Sequence, residues 1–313
     1  MTTGWPIAWV MLTAVPVALT VDRLFGEPPV QLHPVVVMGR YLSLAGDRLL
    51  LLRPMQAFAG GAMAWLLGAG LVTSLAGWAQ YGVLQLPALP AALLLGLLLK
   101  PMLAWRVLLN EVAGVESALA QSLASGRSQV ARLVSRDVAA LDAAQVREAA
   151  LSTLAENLND SVVAPLLWFT LFGLPGAALY RFANTADAMW GYRGPWEWAG
   201  KWAARADDLL SWLPARLTAA LLFAAAWRWP RWVALTADAR RTPSPNGGWP
   251  MGAMAQLLGV VLSKPGVYVL HARGRAAEPA DTRRALTWAG RAVWAAAVLA
   301  CVGIASMGGW PWP

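Results

Sequence analysis

Long apolar blocks recur through this chain and restrict it to folds that can hide or embed them. They occupy 5–21, 57–81, 84–105, 162–180, 215–232 and 288–307. Crossing the hydrocarbon of a bilayer takes roughly 20 mostly apolar residues in a helix. A helix also satisfies its own backbone polar groups, which lipid cannot do. Composition points the same way. Of 313 residues, 58% are hydrophobic and 13% charged, whereas a soluble domain carries about a quarter charged residues. The 19 Trp fit as well, because Trp gathers at membrane interfaces. Strand-like alternation and internal repeats are scarce. The expected fold is therefore all-α, a polytopic helical membrane protein with about 4–6 transmembrane helices. It is read as one integral membrane domain over 1–313, with 106–160 an amphipathic helical segment on the cytoplasmic side.

Charge orients the chain. The net charge is +8, and most Lys and Arg fall in 22–56, 106–161 and 231–287, which the positive-inside rule assigns to the cytoplasm. No compact basic tract with interleaved aromatics appears, so nucleic-acid binding is not expected. Cys301 is the single cysteine, which excludes an intrachain disulfide, a zinc cluster and an iron–sulfur site. The first apolar run lacks the charged leader of a cleaved signal peptide and reads as a retained span. Six simple crossings would put 181–213 outside, away from the other polar segments. The Gly-Leu-Pro-Gly break at Gly173–Gly176 suggests instead that 162–180 is a re-entrant hairpin, in which case 215–232 must be non-crossing as well, leaving four spans, or else the site lies within the bilayer depth.

Polar motifs sit beside the apolar blocks. Asp22, Arg23 and Glu27 end the first span, in a Pro- and Gly-rich loop that continues through His33, Gly39 and Arg40 to Arg53. Glu156, Asn157 and Asp160 precede the fourth block, and on a helix Glu156 and Asp160 share a face. Arg181, Asn184 and Asp187 follow it, then Tyr192 and Arg193, then Arg205, Asp207, Asp208 and Arg216. Asp207 and Asp208 repel each other unless a cation lies between them, or they cap a helix starting near Leu209. The turn with Ser244, Asn246, Gly247 and Gly248 is either a plain turn or a place where backbone amides approach an anion. Walker A, Rossmann and zinc-protease motifs are absent, as is the Asp-x-His-x-x-Gly corrinoid motif. Each motif alone is also readable as a cap or a solvated helix end. Together they place acids and amides beside apolar segments, where such groups are costly and usually functional.

The strings DRLFGEPP…HPVVVMGR, ENLNDSVVAP, GLPGAALYRFANTADAMWGYR, ARADDLLSWLPARLTA and SPNGGWPMGAMAQLLGV follow one another between about 22 and 270. In this set and order they resemble the CobD/CbiB family, adenosylcobinamide-phosphate synthase of cobalamin biosynthesis. One departure is Ser161, where the family often has Gly after the Asp of its Glu-Asn-x-x-Asp motif. The membrane signalling protein AmpE is a distant relative in architecture and is not expected to carry all five strings.

The resemblance implies an amide-forming carbon–nitrogen ligase. It would join adenosylcobyric acid to (R)-1-aminopropan-2-ol or its O-phosphate, giving adenosylcobinamide or its phosphate. A carboxylate is a poor acyl donor, so ATP and Mg²⁺ are expected. Implied metal ligands are Glu156, Asp160, Asp187, Asp207 and Asp208, with Asn157 and Asn184 in support. Arg40, Arg181, Tyr192, Arg193, Arg205, Arg216, Ser244 and Asn246 would bind phosphate or substrate carboxylate. Asp22 or His33 would take a proton from the attacking ammonium. The expected setting is the cell inner membrane, in contact with lipid, with the site facing the cytoplasm. A homo-oligomer or a complex with later pathway enzymes is compatible with this reading. A transporter, with polar groups lining a path at mid-depth, and a non-catalytic AmpE-like sensor are the rival classes.

Overall fold

The computed structural model describes residues 7–307. The first two residues of the 5–21 block lie outside that range. In chain order the helices are α1 (Ile7–Phe25), α2 (Pro34–Leu49), α3 (Pro54–Leu84), α4 (Ala88–Leu99), α5 (Trp105–Gln121), α6 (Leu123–Val130), α7 (Ala143–Leu158), α8 (Ala164–Trp190), α9 (Lys201–Leu210), α10 (Trp212–Ala225), α11 (Trp232–Ala239), α12 (Gly248–Leu258) and α13 (Pro279–Ser306). A π-helical turn, Asn159–Val163, joins α7 to α8. Two short strands, β1 (Leu262–Lys264) and β2 (Tyr268–Leu270), pair antiparallel between α12 and α13. The all-α expectation holds, with this hairpin as its small exception. Five helical stretches are long and apolar enough to cross a membrane, and the bent pair α9–α10 makes a sixth if it counts as one span. By length and composition the chain is a multi-pass membrane protein.

The described residues pack as two compact units. Among these residues the first comprises 7–104, 160–211 and 297–307; the second comprises Trp105–Asn159 and Trp212–Ala296. In the first unit, α1 packs against α4, and α8 against α3, α2 and α9. Small residues allow the close approaches. Gly96 of α4 lies against Val17 and the Ala14 carbonyl of α1, and Gly61 of α3 lies under the Ala199 carbonyl. Gly68 of α3 leaves room for Phe182 and Tyr41. The opposite face of α3, with Met63, Leu66, Leu71, Leu75 and Trp78, is exposed and apolar. A lipid-facing helix carries such a face.

Two sequence readings change here. The stretch 22–53 is not a loop. Helix α1 continues through Asp22 to Phe25, and α2 starts at Pro34, a residue pre-set for the first helical position. His33 is the N-cap of α2, its Nδ1 accepting the Val35 N–H at 3.2 Å. Likewise Asp207 and Asp208 lie inside α9, not at the N-terminus of a helix starting near Leu209.

The decisive feature of this unit is the reversal inside α8. Gly173 has φ 65° and ψ −155°, a region essentially restricted to glycine. The Leu174 N–H that the break frees donates to Gln80 Oε1 of α3 at 2.8 Å, and Gln80 is fully buried. Pro175 follows, adding no further donor. Twenty residues of straight helix would separate Asp160 from Tyr180 by about 30 Å. Instead the Tyr180 hydroxyl lies 3.3 Å from Asp160 Oδ1, so the chain runs out to Gly173 and returns.

In the second unit α5 presents one buried stripe, Trp105, Leu108, Val112 and Val115. Helix α7 is buried over most of its surface and begins with a capping box between Asp142 and Gln145. Arg147 of α7 forms a bidentate pair with Glu116 of α5, at 2.9 and 2.8 Å. Buried Glu148 takes both the N–H and the hydroxyl of Ser263, at 3.1 and 2.6 Å, which fixes the β-hairpin on α7.

Candidate functional site

The returning hairpin brings together residues that the sequence scatters over fifty positions. Tyr180, completely buried, hydrogen-bonds Asp160 and, at 2.9 Å, the Ser211 hydroxyl. Arg181 Nη1 donates to the Asp160 carbonyl at 3.3 Å and to Ser161 Oγ at 3.5 Å. Asn184, one turn on, donates to Asp207 Oδ1 of α9 at 3.3 Å. Asp187, a further turn along the same face, interacts electrostatically with Asp208 and Asp160. Asp207 does so with Asp160, Asp187 and Asp208. The i, i+3 spacing in the sequence therefore marks one face of α8 turned towards α9. Gly191 closes the α8 end, directly against the Asp187 carboxylate, where a Cβ would collide with it.

Beside this acidic group lies a second polar cluster of the same unit. Lys100, 4% exposed, bridges Asp22 Oδ1 at 3.2 Å and Glu27 Oε2 at 2.8 Å. Glu27 also receives His33 Nε2 at 2.9 Å. Because His33 Nδ1 accepts the Val35 N–H, the ring proton must sit on Nε2. Both nitrogens are thus engaged, and Asp22 is bound to Lys100. His33 thus has no lone pair left for the proton-accepting role expected of it, and the Asp22 carboxylate is paired with the Lys100 cation. The Arg181 guanidinium feels the Glu27 charge, linking the two clusters. Its Nε is buried without a hydrogen-bond partner, a donor aimed at nothing in the protein.

Lys100, Tyr180, Ser211 and Gln80 were not singled out from the sequence. Lys100 had a readable signal, being a lone cation closing a long apolar run, where charge is functional by default. Tyr180 and Ser211 had none, because their pairing exists only once the hairpin has closed. Ser161, the departure from the family string, supplies an acceptor for Arg181 and a carbonyl for the Ala104 N–H at 3.0 Å.

The remaining predicted residues have other surroundings. Arg40, Arg193 and Arg205 are exposed side chains, and Tyr192 is half-exposed. Glu156, Asn157, Arg216, Ser244 and Asn246 belong to the second unit. There Glu156 lies against Gly247 and near Tyr268. Burial, to which the Glu156 charge adds, pushes the Tyr268 phenol above its usual pKa. The π-turn begins between Glu156 and Asp160, so the regular i, i+4 spacing that predicted a shared face does not apply. Asn157 donates back to the Thr153 carbonyl at 3.1 Å. Arg216 stacks on Trp212 and Trp249 and donates to Asn246 Oδ1 at 3.1 Å. Ser244 Oγ accepts the Asn246 N–H at 3.2 Å. A carboxylate facing Gly247 disfavours an anion in that turn, so its glycines serve close packing.

Among the described residues no three His, Cys, Asp or Glu side chains converge tightly enough to form a ready metal cage. Mg²⁺ in nucleotide sites needs only one or two carboxylates, the rest being phosphate oxygens and water. The oxygen-only donor set of Asp160, Asp187, Asp207 and Asp208 fits that requirement.

The chain is matched over residues 15–306 by the family described as CobD/Cbib protein. A probable cobalamin biosynthesis protein CobD from Pyrococcus furiosus is 38% identical over 87% of this chain and 91% of its own. Cobalamin biosynthesis protein CobD of Stutzerimonas stutzeri is 39% identical over 94% of this chain and 96% of its own. That of Chromobacterium violaceum is 41% identical, over 79% and 80% respectively. No solved structure matches. With a family match covering nearly its whole length, and relatives of this identity aligned nearly end to end, the chain belongs to the CobD/CbiB family.

Proposed function

We propose that this protein forms the amide between the free propionate of adenosylcobyric acid and (R)-1-aminopropan-2-ol or its O-phosphate, using ATP and Mg²⁺. The observation that carries this reading is the helical hairpin that gathers Asp160, Arg181, Asn184 and Asp187 against Asp207 and Asp208. Relatives named for cobalamin biosynthesis support the corrinoid as substrate.

The chemistry follows from the residues. Arg181 presents a buried donor suited to a carboxylate or phosphate oxygen. Its hold on Asp160 and Ser161 fixes the guanidinium on the hairpin. Asp187 and Asp208 would hold Mg²⁺ with Asp207 adding negative charge beside them, and the ion would neutralise phosphate charge while the carboxylate is activated. Tyr180 and Ser211 keep Asp160 in place. The reaction joins three reactants, so positioning contributes much of the rate. Lys100 offsets one of the two charges of Asp22 and Glu27 and lessens their repulsion of anionic substrates. Both arms of the hairpin return to one side, so a single face of the membrane serves the whole site. Since ATP and cobyric acid are cytosolic, that face is the cytoplasmic face of the inner membrane.

The test uses purified protein in detergent with cobyric acid, aminopropanol phosphate and ATP. Cobinamide phosphate should form with matched nucleotide hydrolysis. Asp187→Ala and Asp208→Ala should each lower turnover by about a hundredfold or more, as loss of charge stabilisation at a phosphoryl centre does. Wild-type turnover in either variant would sink the Mg²⁺ assignment. Turnover without a sealed compartment would also dispose of the transporter reading.

A further inference from the structure

The second unit contains an apolar cavity that the catalytic reading does not use. It measures about 800 Å³ and is lined by Phe223, Trp227, Trp229, Trp232, Arg228 and Arg291, with small alanines between them. Trp227 and Trp229 are 88% and 94% exposed, which is unusual for the largest apolar side chain. The backbone holds them there. The Trp227 N–H donates to the Ala224 carbonyl and the Arg228 N–H to the Phe223 carbonyl, each at 3.1 Å, the paired bonds of a Schellman helix end. That motif places its reversing residue in the left-handed region, where glycine normally stands. Here the position is Trp227, at φ 52°, a strained conformation for a bulky residue. The strain persists although glycine would relieve it.

Charge identifies the occupant. Arg228 makes no side-chain hydrogen bond or ion pair among those of the described residues, and Arg291 only a long 3.5 Å contact to the Ala225 carbonyl. The cavity lining contains no acidic residue. Arg291 sits close to where the apolar stretch of α13 begins, and Trp227 follows the end of α10. An apolar cavity rimmed by tryptophans and two uncompensated cations, at the edge of apolar helices, matches a phospholipid with an anionic headgroup. The acyl chain fills the cavity, the tryptophans lie at headgroup level, and the arginines receive the phosphate.

We propose that Trp227–Trp232 of this chain, with Arg228 and Arg291, forms a binding site for one anionic phospholipid. This holds independently of the amide-forming reaction. Native mass spectrometry of the full-length protein, titrated with phosphatidylglycerol or phosphatidylcholine, tests it. Phosphatidylglycerol should bind as a single saturable adduct in preference to phosphatidylcholine. Arg228→Gln combined with Arg291→Gln should weaken it roughly 20- to 30-fold, at the usual contribution of a basic residue near an anionic headgroup. The exposed single variant Arg228→Gln, which breaks no contact, should weaken binding about fivefold and guards against misfolding of the double variant. Arg273→Gln, an equal charge loss elsewhere in the unit, should leave binding unchanged. Equal affinity for the two lipids, wild-type affinity in Arg228→Gln, or displacement of the lipid by millimolar inorganic phosphate would each overturn the proposal.

Discussion

Replacing Gly173 by alanine tests the element on which the site depends. Two costs arise together. The conformation at φ 65° and ψ −155° is of a kind that costs a non-glycine residue about 1–3 kcal/mol. The new Cβ would also run into the side-chain amide of Gln80. Gln80 is fully buried and must keep its Oε1 on the Leu174 N–H. Pushing it aside leaves that N–H without a partner, a further loss of about 1–3 kcal/mol. The costs share one relaxation, so their sum, about 2–6 kcal/mol, is an upper range.

The measurement is thermal unfolding of detergent-purified protein, read by tryptophan fluorescence. A fall of about 2–4 °C per kcal/mol places the variant several degrees or more below wild type. Gly70→Ala supplies the internal control. Gly70 lies within α3 with nothing near its would-be Cβ, so alanine there should be neutral or stabilise by about 0.4–1 kcal/mol. Turnover should fall with stability in Gly173→Ala, because the arm carrying Tyr180 and Arg181 moves relative to Asp160. If Gly173→Ala melted no lower than Gly70→Ala, the account of the reversal would be wrong.

Two further substitutions probe the groups the hairpin assembles. Lys100→Met leaves Asp22 buried without its cation and should destabilise by about 3–5 kcal/mol; adding Asp22→Asn should recover much of this, and a double variant as unstable as the single one would show that the ion pair is not the cause. Gly191→Ala keeps an accessible backbone, at φ −71° and ψ 8°, but its Cβ would meet both the carboxylate and the backbone carbonyl of Asp187, so turnover should drop about a hundredfold, as misplacement by an ångström does, together with a lower melting temperature; unaltered steady-state rates would separate Asp187 from the reaction.

Several features were readable before any coordinates. Asn184 and Asp187 follow Arg181 at three-residue spacing, and a helix turns such residues to one side whatever surrounds it. Gly173 and Pro175 announced a break, because one frees a backbone conformation and the other removes a donor. What the chain order could not convey was the partner of the break. Gln80 lies ninety-four positions from Leu174 in an apolar helix, and only the packing of α3 on α8 makes its amide necessary. His33 shows the converse. As one of two histidines it invited a catalytic role, yet its two nitrogens serve a helix N-cap and Glu27. A scarce residue type signals chemistry only when its hydrogen-bonding capacity is left over.

Leftover capacity also explains why the site lies where it does. In an apolar setting each polar atom must be satisfied within the protein or by a ligand. Gln80 is satisfied by the Leu174 N–H, Tyr180 by Asp160 and Ser211, and Lys100 by two carboxylates. Arg181 retains a buried Nε without an acceptor, and four aspartates lie within electrostatic reach of one another. A cationic donor with one N–H left over and a surplus of negative charge sit in one small volume, one guanidinium beside four carboxylates. A structural ion-pair network would have closed that gap. An anionic substrate group at Arg181 and a divalent cation among the aspartates would settle both imbalances at once, which is the pairing that activation of a carboxylate by a nucleotide requires.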